Sequence, residues 1–190
     1  MKRFAVLAFA LLAATPVLAH DLPGAHSHGF GAGMLHPLLG VDHLLAIIAL
    51  GLWASLLQGR ARWLAPAVFT AFLLVGGLLG MVGMAIPHLE IGIALSVLVF
   101  GLMLASLVRN ARFALLLAAG FALFHGNAHG VEMPQALDAM LYTAGYVTAT
   151  AALAFAALGA GAWIQTQQQR LLRWGGGTIA ALGLASGLTG

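Results

Sequence analysis

The sequence predicts an all-α membrane protein, a polytopic bundle of six transmembrane helices that follows a cleavable signal peptide. Hydrophobic residues make up 62% of the chain and charged residues only 7%, with a mean hydropathy of +1.00, far from the balance of a soluble domain. Apolar stretches of roughly 20 residues recur, the length that a helix needs to cross about 30 Å of hydrocarbon. Beyond the N-terminal segment, arginines occur only in every second connection, which is typical of loops on one side of a membrane.

Residues 1–19 have the three parts of a secretory signal peptide. Lys2 and Arg3 precede a short apolar run, and small residues come before the expected cut. The run is too short to span a bilayer. We therefore expect the mature chain to begin at His20 on the outer side of a bacterial inner membrane, with a His-containing extracytoplasmic leader over residues 20–35.

The remaining residues, 36–190, are predicted to form one multi-pass transmembrane domain. Its six spans are separated by short polar connections or by Pro and Gly. The spans cover approximately residues 37–57, 63–84, 88–108, 112–131, 136–163 and 171–188.

The connections differ in charge, and this difference predicts the orientation. All six arginines outside the signal peptide lie in QGRAR (58–62), RNAR (109–112) and QTQQQRLLR (165–173). The positive-inside rule places these loops in the cytoplasm, and the mature N-terminus and the C-terminus outside. Without the signal peptide six basic residues face five acidic ones, so the pI of about 10.2 does not indicate a nucleic-acid partner. The lipid bilayer is the expected surrounding.

Every His, Asp and Glu falls in the leader, in outer loops or in the outer halves of spans. An ionisable group in the membrane costs a few kcal/mol and usually faces a cavity or a partner. We therefore expect a shared polar chamber that opens outward. The chain has no cysteine, so a metal site must use nitrogen and oxygen donors.

The fourth span ends in FHGNAHGVE, residues 124–132. On a helix that advances 100° per residue, His125, His129 and Glu132 lie within an arc of about 60°. The two histidines are about 6 Å apart along the axis, so both imidazoles could reach one cation. Glu132 lies nearer the mouth, as a ligand or an electrostatic lure.

The first span carries a matching set in HPLLGVDH, residues 36–43. Counted at 1.5 Å per residue, His43 lies about 9 Å below the start of its span and His125 about 10 Å below the end of its own. Asp42, His43, His125 and His129 are therefore expected to form one metal site between facing helices.

His36 is harder to place. In a continuous helix it lies about 10 Å from His43, too far to bind the same ion directly. Pro37 and Gly40 could instead make residues 36–41 irregular, which is allowed where backbone lines a cavity.

Structural explanations stay open for these residues. His125 and His129 could be neutral histidines bonded to neighbouring helices, and Asp42 with His43 an isolated polar pair. His36 could simply start a helix before Pro37.

Further ionisable groups are candidates for accessory capture of metal. His20, His26 and His28 in the leader could bind metal before it enters, or belong to a solvated disordered segment. Glu90 and Asp138 could attract cations or only stabilise helix starts. His88 could extend the chamber or be an ordinary loop residue.

The two motifs, H-x5-D-H at His36, Asp42 and His43 and FHGNAHGVE at residues 124–132, resemble the signatures of the HupE/UreJ family of nickel and cobalt permeases. The resemblance covers the whole chain. It implies a protein that is not an enzyme, holds no prosthetic group and takes up Ni²⁺ or Co²⁺ for metalloenzymes such as hydrogenase or urease. A homo-oligomer is compatible with the sequence.

The residues leave two other functions open. A b-type cytochrome would use histidines on two helices as axial haem ligands, although a pair spaced i, i+4 beside Asp42 suits a bare ion better. An intramembrane metal-dependent hydrolase would use the ion to activate water.

Overall fold

The computed structural model describes residues 29–133 and 138–189, and all regular structure in this part of the chain is helical. The all-α fold class is thus confirmed. The predicted signal peptide, residues 1–19, and His20, His26 and His28 lie outside the described residues. The helices are α1 (Gly29–Leu39), α2 (Val41–Ala54), α3 (Ala61–Met81), α4 (Leu89–Ala105), α5 (Ala111–Val131), α6 (Ala139–Gln167) and α7 (Gln169–Thr189).

Three of these helices, α3, α5 and α6, are long and apolar enough to cross a membrane, and α1 with α2 makes a fourth candidate if the pair is one broken span. Helix α4 has 17 residues, a length of about 26 Å, somewhat less than the hydrocarbon thickness. Helix α7 is long enough but less apolar, with Arg170 and Arg173 in its first turns. The structure therefore supports three to four spans, and six remains a prediction.

The first predicted span, 37–57, is not one straight helix. Helices α1 and α2 meet at Gly40 with a bend of 77°, and Gly40 itself has extended backbone angles, φ −77° and ψ 106°. Pro37 lies inside α1, where it removes one helical hydrogen bond. Helix α1 also begins at Gly29, inside the segment expected to be leader.

The bundle has two chemically different ends. At one, which we call the histidine end, α3 and α5 finish and α4 and α6 start, and the histidines of both motifs lie near it. At the other, the arginine end, α2, α4 and α6 finish and the arginine-containing connections lie. Sequence and structure thus agree on which loops share an end.

Glycines set the distance between the two most extensively packed helices, α3 and α5. A Cβ at Gly76 would overlap the Leu123 carbonyl oxygen, and one at Gly126 would overlap the Leu73 carbonyl oxygen. The backbones thus touch, as small residues allow in membrane bundles. Similar contacts join α1 to α6 at Gly33 and α4 to α7 at Gly101. These contacts fix how the motif helices sit against their neighbours.

Asn127, in the middle of the FHGNAHGVE motif, ties α5 to the connection between α3 and α4. Its buried amide nitrogen donates to the carbonyl oxygens of Gly76 (3.3 Å) and Met84 (2.8 Å), and its oxygen accepts from the Ile86 N–H (2.8 Å). This side chain therefore holds the connection between α3 and α4, residues 82–88, against the helix that carries His125 and His129.

On the arginine side of the histidines, the core consists of aromatic and aliphatic side chains. Phe69, Phe100 and Trp53 are fully buried. The ring centroid of Phe100 lies 6.2 Å from that of Phe69 and 6.1 Å from that of Trp53. The Trp53 indole donates to the Val108 carbonyl oxygen at 2.7 Å, so its polar atom is satisfied at the arginine end.

Two glycines of α5 offer a matched test of the close packing. We expect Gly126→Ala to destabilise the protein by about 1–3 kcal/mol, the usual cost of overpacking, because its methyl group meets the α3 backbone. Gly120→Ala has open space around the new methyl group and should be neutral or slightly stabilising, since alanine is the better helix former. Thermal unfolding of the purified variants in detergent measures both. Equal melting temperatures would contradict the packing.

Candidate metal centre

The four histidines of the two motifs come together at the histidine end, and we call His36, His43, His125 and His129 the histidine cluster. They come from α1, α2 and α5. His43 lies at the centre: its ring centroid is 4.7 Å from that of His125, 4.6 Å from that of His129 and 6.2 Å from that of His36. His43, His125 and His129 are buried. His43, from the first predicted span, thus lies beside His125 and His129, from the fourth.

The closest contact in the cluster joins α2 to α5. The Nδ1 atoms of His43 and His125 are 3.1 Å apart, so one ring donates a hydrogen and the other accepts it. The rings are nearly perpendicular, at 85°. Two nitrogens from different helices thus point at the same small volume.

Ser96 of α4 determines which nitrogen of His125 is free to accept. The Ser96 hydroxyl donates its one hydrogen to the Ile93 carbonyl oxygen at 2.6 Å, and it lies 2.6 Å from His125 Nε2. Toward the ring it therefore acts as the acceptor, and Nε2 carries the hydrogen. The lone pair of His125 is left on Nδ1, facing His43. A serine that fixes a histidine in this way is typical of the support around metal ligands.

His129 is buried without polar contacts. Neither of its ring nitrogens has a hydrogen-bond partner within residues 29–133 and 138–189, although an unsatisfied buried polar group costs about 1–3 kcal/mol. The ring is stacked on Tyr146 of α6, with centroids 4.7 Å apart and planes at 19°. His129 is thus held by ring contacts while its nitrogens stay available to a ligand.

His36 joins the cluster, contrary to the expectation for a continuous helix. The bend at Gly40 turns α1 back toward α5, so that the His36 ring lies 4.7 Å from that of His129. Its Nε2 is 3.4 Å from a carboxylate oxygen of Glu132, and both side chains are partly exposed. His36 and Glu132 therefore form the solvent side of the cluster.

Asp42 lies at the first turn of α2, next to His43. Its Oδ1 accepts a hydrogen bond from the His43 backbone N–H at 2.8 Å, which supports the start of the helix. The carboxylate is half-buried. The structure thus places Asp42 beside the cluster and gives it a local structural contact there.

Three accessory candidates, Asp138, His88 and Glu90, are among the described residues, and they lie outside the cluster. Asp138 caps α6 by accepting from the Leu141 N–H at 2.9 Å, which favours the structural explanation. His88 is exposed at the start of α4, with a left-handed φ of 58°. Glu90 is also exposed, and the charges of Asp42 and Glu132 act on it. It therefore belongs to the acidic surroundings of the mouth.

Several neighbours of the cluster were not singled out from the sequence. Ser96 comes from a span without a motif, and Tyr142 and Tyr146 come from α6, where they line the cluster at 5.9 Å from His36 and 4.7 Å from His129. Phe69 of α3 covers His125 at 5.7 Å. The spacing of Tyr142 and Tyr146, i and i+4 on an otherwise apolar helix, was the only sequence signal for any of them.

The cluster is not arranged as a finished metal site. Among the described residues, no three His, Asp or Glu side chains converge in a way that could hold a metal ion as they stand. Two nitrogens converge, and the others are adjacent. A third donor would have to turn toward the His43 and His125 nitrogens.

Comparisons with known proteins identify the family. The family model described as HupE / UreJ protein matches residues 7–186. The Rhizobium leguminosarum bv. viciae protein named Protein HupE is 40% identical over 174 residues, which cover 90% of this chain and 91% of the relative. No solved structure matches the chain. The match to the family extends over almost the whole sequence and includes both histidine motifs. The chain therefore belongs to the HupE/UreJ family.

Proposed function

We propose that this protein is an inner-membrane permease that moves Ni²⁺, or Co²⁺, inward through a site formed by His43, His125, His129 and Asp42. The HupE/UreJ family consists of permeases or accessory proteins rather than enzymes, and the chain is accordingly no enzyme. The observation that carries the proposal is the meeting of two imidazole nitrogens, from α2 and α5, in the buried part of the bundle.

The spacing of these nitrogens suits a shared cation. Imidazole nitrogens bind such metals at about 2.0–2.1 Å, so two of them at neighbouring positions around one ion lie about 3 Å apart. The Nδ1 atoms of His43 and His125 are 3.1 Å apart. The hydrogen between them would move to His43 Nε2 when an ion takes its place. Imidazole and carboxylate donors suit Ni²⁺ and Co²⁺, although ligand type alone does not select between them.

The ion would reach these nitrogens from the histidine end. His36 and Glu132 are the partly exposed members of the site, and Glu90 adds negative charge nearby. Cations are attracted to such a mouth and exchange water for protein donors as they enter. His129, with its nitrogens unengaged, and Asp42 supply the further ligands after a change of rotamer.

The direction of transport follows from the orientation. If the arginine end is cytoplasmic, as the positive-inside rule requires, the histidine end faces outward. An inside-negative potential of 100 mV then drives a divalent cation inward with about 4.6 kcal/mol. The sequence contains no Walker motif, so facilitated diffusion along the potential is the mechanism that we propose.

The two rival functions fit the site less well. Axial ligation of haem requires a porphyrin between two histidines, whereas the His43 and His125 nitrogens are in direct contact. A hydrolase would be an exception in a family of permeases or accessory proteins. A metal carrier needs only donors that meet, which is what the cluster supplies.

Uptake of radioactive nickel by whole cells tests the proposed site. We expect His125→Ala and Asp42→Ala to abolish uptake at unchanged membrane abundance, because each removes a donor to the ion. Glu90→Gln should have a milder effect, since it changes only the charge at the mouth.

His88→Asn is the matched control for these variants. It replaces an exposed histidine, and asparagine tolerates the left-handed backbone there. Its uptake should equal that of the unmodified protein. Uptake at the normal rate in the Asp42 variant would remove that residue from the site, and competition with cold Co²⁺ and Zn²⁺ would rank the substrates.

We expect uptake to depend on external pH. Histidine must be neutral to bind a metal, so protons compete with the ion for the imidazole nitrogens, and uptake should fall as the external pH is lowered. The measurement is the initial rate of uptake between pH 5 and 8 with the membrane potential monitored. Equal rates at pH 5 and pH 7.5 would contradict histidine ligation.

Ser96→Ala tests whether the serine holds His125 as a ligand. Loss of a group that orients a metal ligand typically weakens metal binding 10–100-fold, and we expect a loss of that size for Ni²⁺ by calorimetry on the purified protein. Ser106→Ala, at the exposed end of the same helix, is the control. An unchanged affinity in Ser96→Ala would show that His125 is oriented by other contacts.

A further inference from the structure

Helix α6 carries three buried hydroxyl groups on one face, from Tyr142, Tyr146 and Thr150, and we call them the α6 hydroxyl face. All three side chains are at most 1% exposed. None of the three oxygens has a hydrogen-bond partner among the residues that the structure describes. Buried polar atoms are normally paired, and exceptions often mark the place of water or an ion.

The α6 hydroxyl face begins at the histidine cluster. Its members are spaced i, i+4 and i+8, so they lie above one another on the helix and span about 12 Å along its axis. The Tyr142 ring is 5.9 Å from His36, and the Tyr146 ring stacks on His129. The line therefore runs alongside the cluster, from the level of His36 and His129 into the bundle.

Thr150 is the innermost member of the face and lies deeper in the bundle than His43. Helices α2 and α6 run in the same direction, with Gly51 against Ala154 and Ser55 against Gly161. This register puts Thr150 within about one turn of His43, on its arginine side. Its hydroxyl is thus a buried, unpartnered polar group on the arginine side of His43.

The hydroxyl of Thr150 differs from those of other threonines in these helices. Thr70, Thr148 and Thr178 each donate to the carbonyl oxygen four residues earlier. This bond satisfies a threonine inside a helix without any other partner. Thr150 does not make it within the described residues, so its hydroxyl stays available to a ligand.

Tyr146 is placed by packing rather than by a hydrogen bond. Its hydroxyl rests against Gly77 of α3, where a Cβ would displace it. The nearby Thr143 hydroxyl is directed at the Met81 sulfur, 3.7 Å away. The two oxygens do not meet in hydrogen-bonding geometry.

We propose that the α6 hydroxyl face is a binding lane for a partly hydrated divalent cation, which it carries from the histidine cluster toward the arginine end. The proposal rests on the proposed function of the cluster. A hydroxyl can donate to an anion or water and accept from water, or offer its oxygen to a metal. As a neutral donor it replaces water around the ion without trapping it, which is what passage between sites requires.

Isosteric variants separate the lane from a structural role. Thr150→Val replaces the hydroxyl by a methyl group of similar size, and Tyr146→Phe removes the hydroxyl oxygen. Because these hydroxyls have no partner in the described part of the protein, we expect the melting temperature to stay the same or rise. Nickel uptake at saturating concentration should fall at least tenfold, while the Kd of the purified protein for Ni²⁺ changes less than threefold.

Thr148→Val is the matched control, because Thr148 is exposed and bonded to its own helix. Its uptake should be unchanged. Normal uptake in Thr150→Val, alongside lost uptake in His125→Ala, would overturn the lane and leave the proposed function standing.

A second measurement does not depend on transport. The chain contains no cysteine, so Thr150→Cys and Thr148→Cys each introduce a single thiol. Thiolates need water to form and react. The reagent is a small cationic methanethiosulfonate, and mass spectrometry is the readout. We expect Thr150→Cys to be modified at least tenfold faster than Thr148→Cys, and we expect Ni²⁺ to slow the modification of Thr150→Cys.

The two hypotheses fail differently in these experiments. Equal modification rates at positions 148 and 150 would overturn the lane. Absence of nickel uptake by the unmodified protein would overturn the proposed function, and rapid modification of Thr150→Cys would still support a hydrated lane beside the cluster.

Discussion

The site depends on two imidazole nitrogens meeting inside an apolar bundle, and this requires two helices to be held at a fixed separation and depth. His43 sits on α2 and His125 on α5, and few residues of these two helices touch elsewhere. Their relation is set through third helices. Helix α5 lies against α3 at Gly76 and Gly126, and α2 lies against α6 at Gly51. The 3.1 Å contact between the nitrogens is therefore a consequence of backbone packing some distance away.

This dependence explains which parts of the site could be predicted from the sequence. The i, i+4 spacing of His125 and His129 and the matching depth of His43 need only helical geometry, and the structure brings these residues together. His36 could not be placed, because its position depends on a 77° bend that Gly40 permits but does not require. Ser96 was not foreseeable at all, since a lone serine in an apolar span carries no periodic signal.

The limits on predicting the fold from the sequence have the same origin, namely packing between helices. Hydropathy finds apolar segments, and each of the six predicted spans corresponds to a helix or a helix pair. It does not say whether a segment of 17 residues such as α4, or one with arginines such as α7, crosses the bilayer. In the structure those two helices pack on one another, for example at Gly101 and Gly176.

The two sides of the histidine cluster differ in a way that bears on how an ion would pass. Toward the histidine end, Glu132 and His36 are partly exposed. Toward the arginine end, Phe69 and Phe100 are fully buried and in contact. On the proposed function, an ion would enter through this polar mouth, and the aromatic core would close its path on the arginine side.

The unsatisfied polar atoms around the cluster fit this picture energetically. In the described residues, His129 and the α6 hydroxyl face keep buried polar atoms without partners, and each lowers stability in the absence of a ligand. A cation with part of its water shell would satisfy them. On the proposed function, the cost of dehydrating the ion opposes this gain, and we expect moderate binding as a result. Moderate binding is what a permease needs, because an ion held by a fully preorganised site would not leave it.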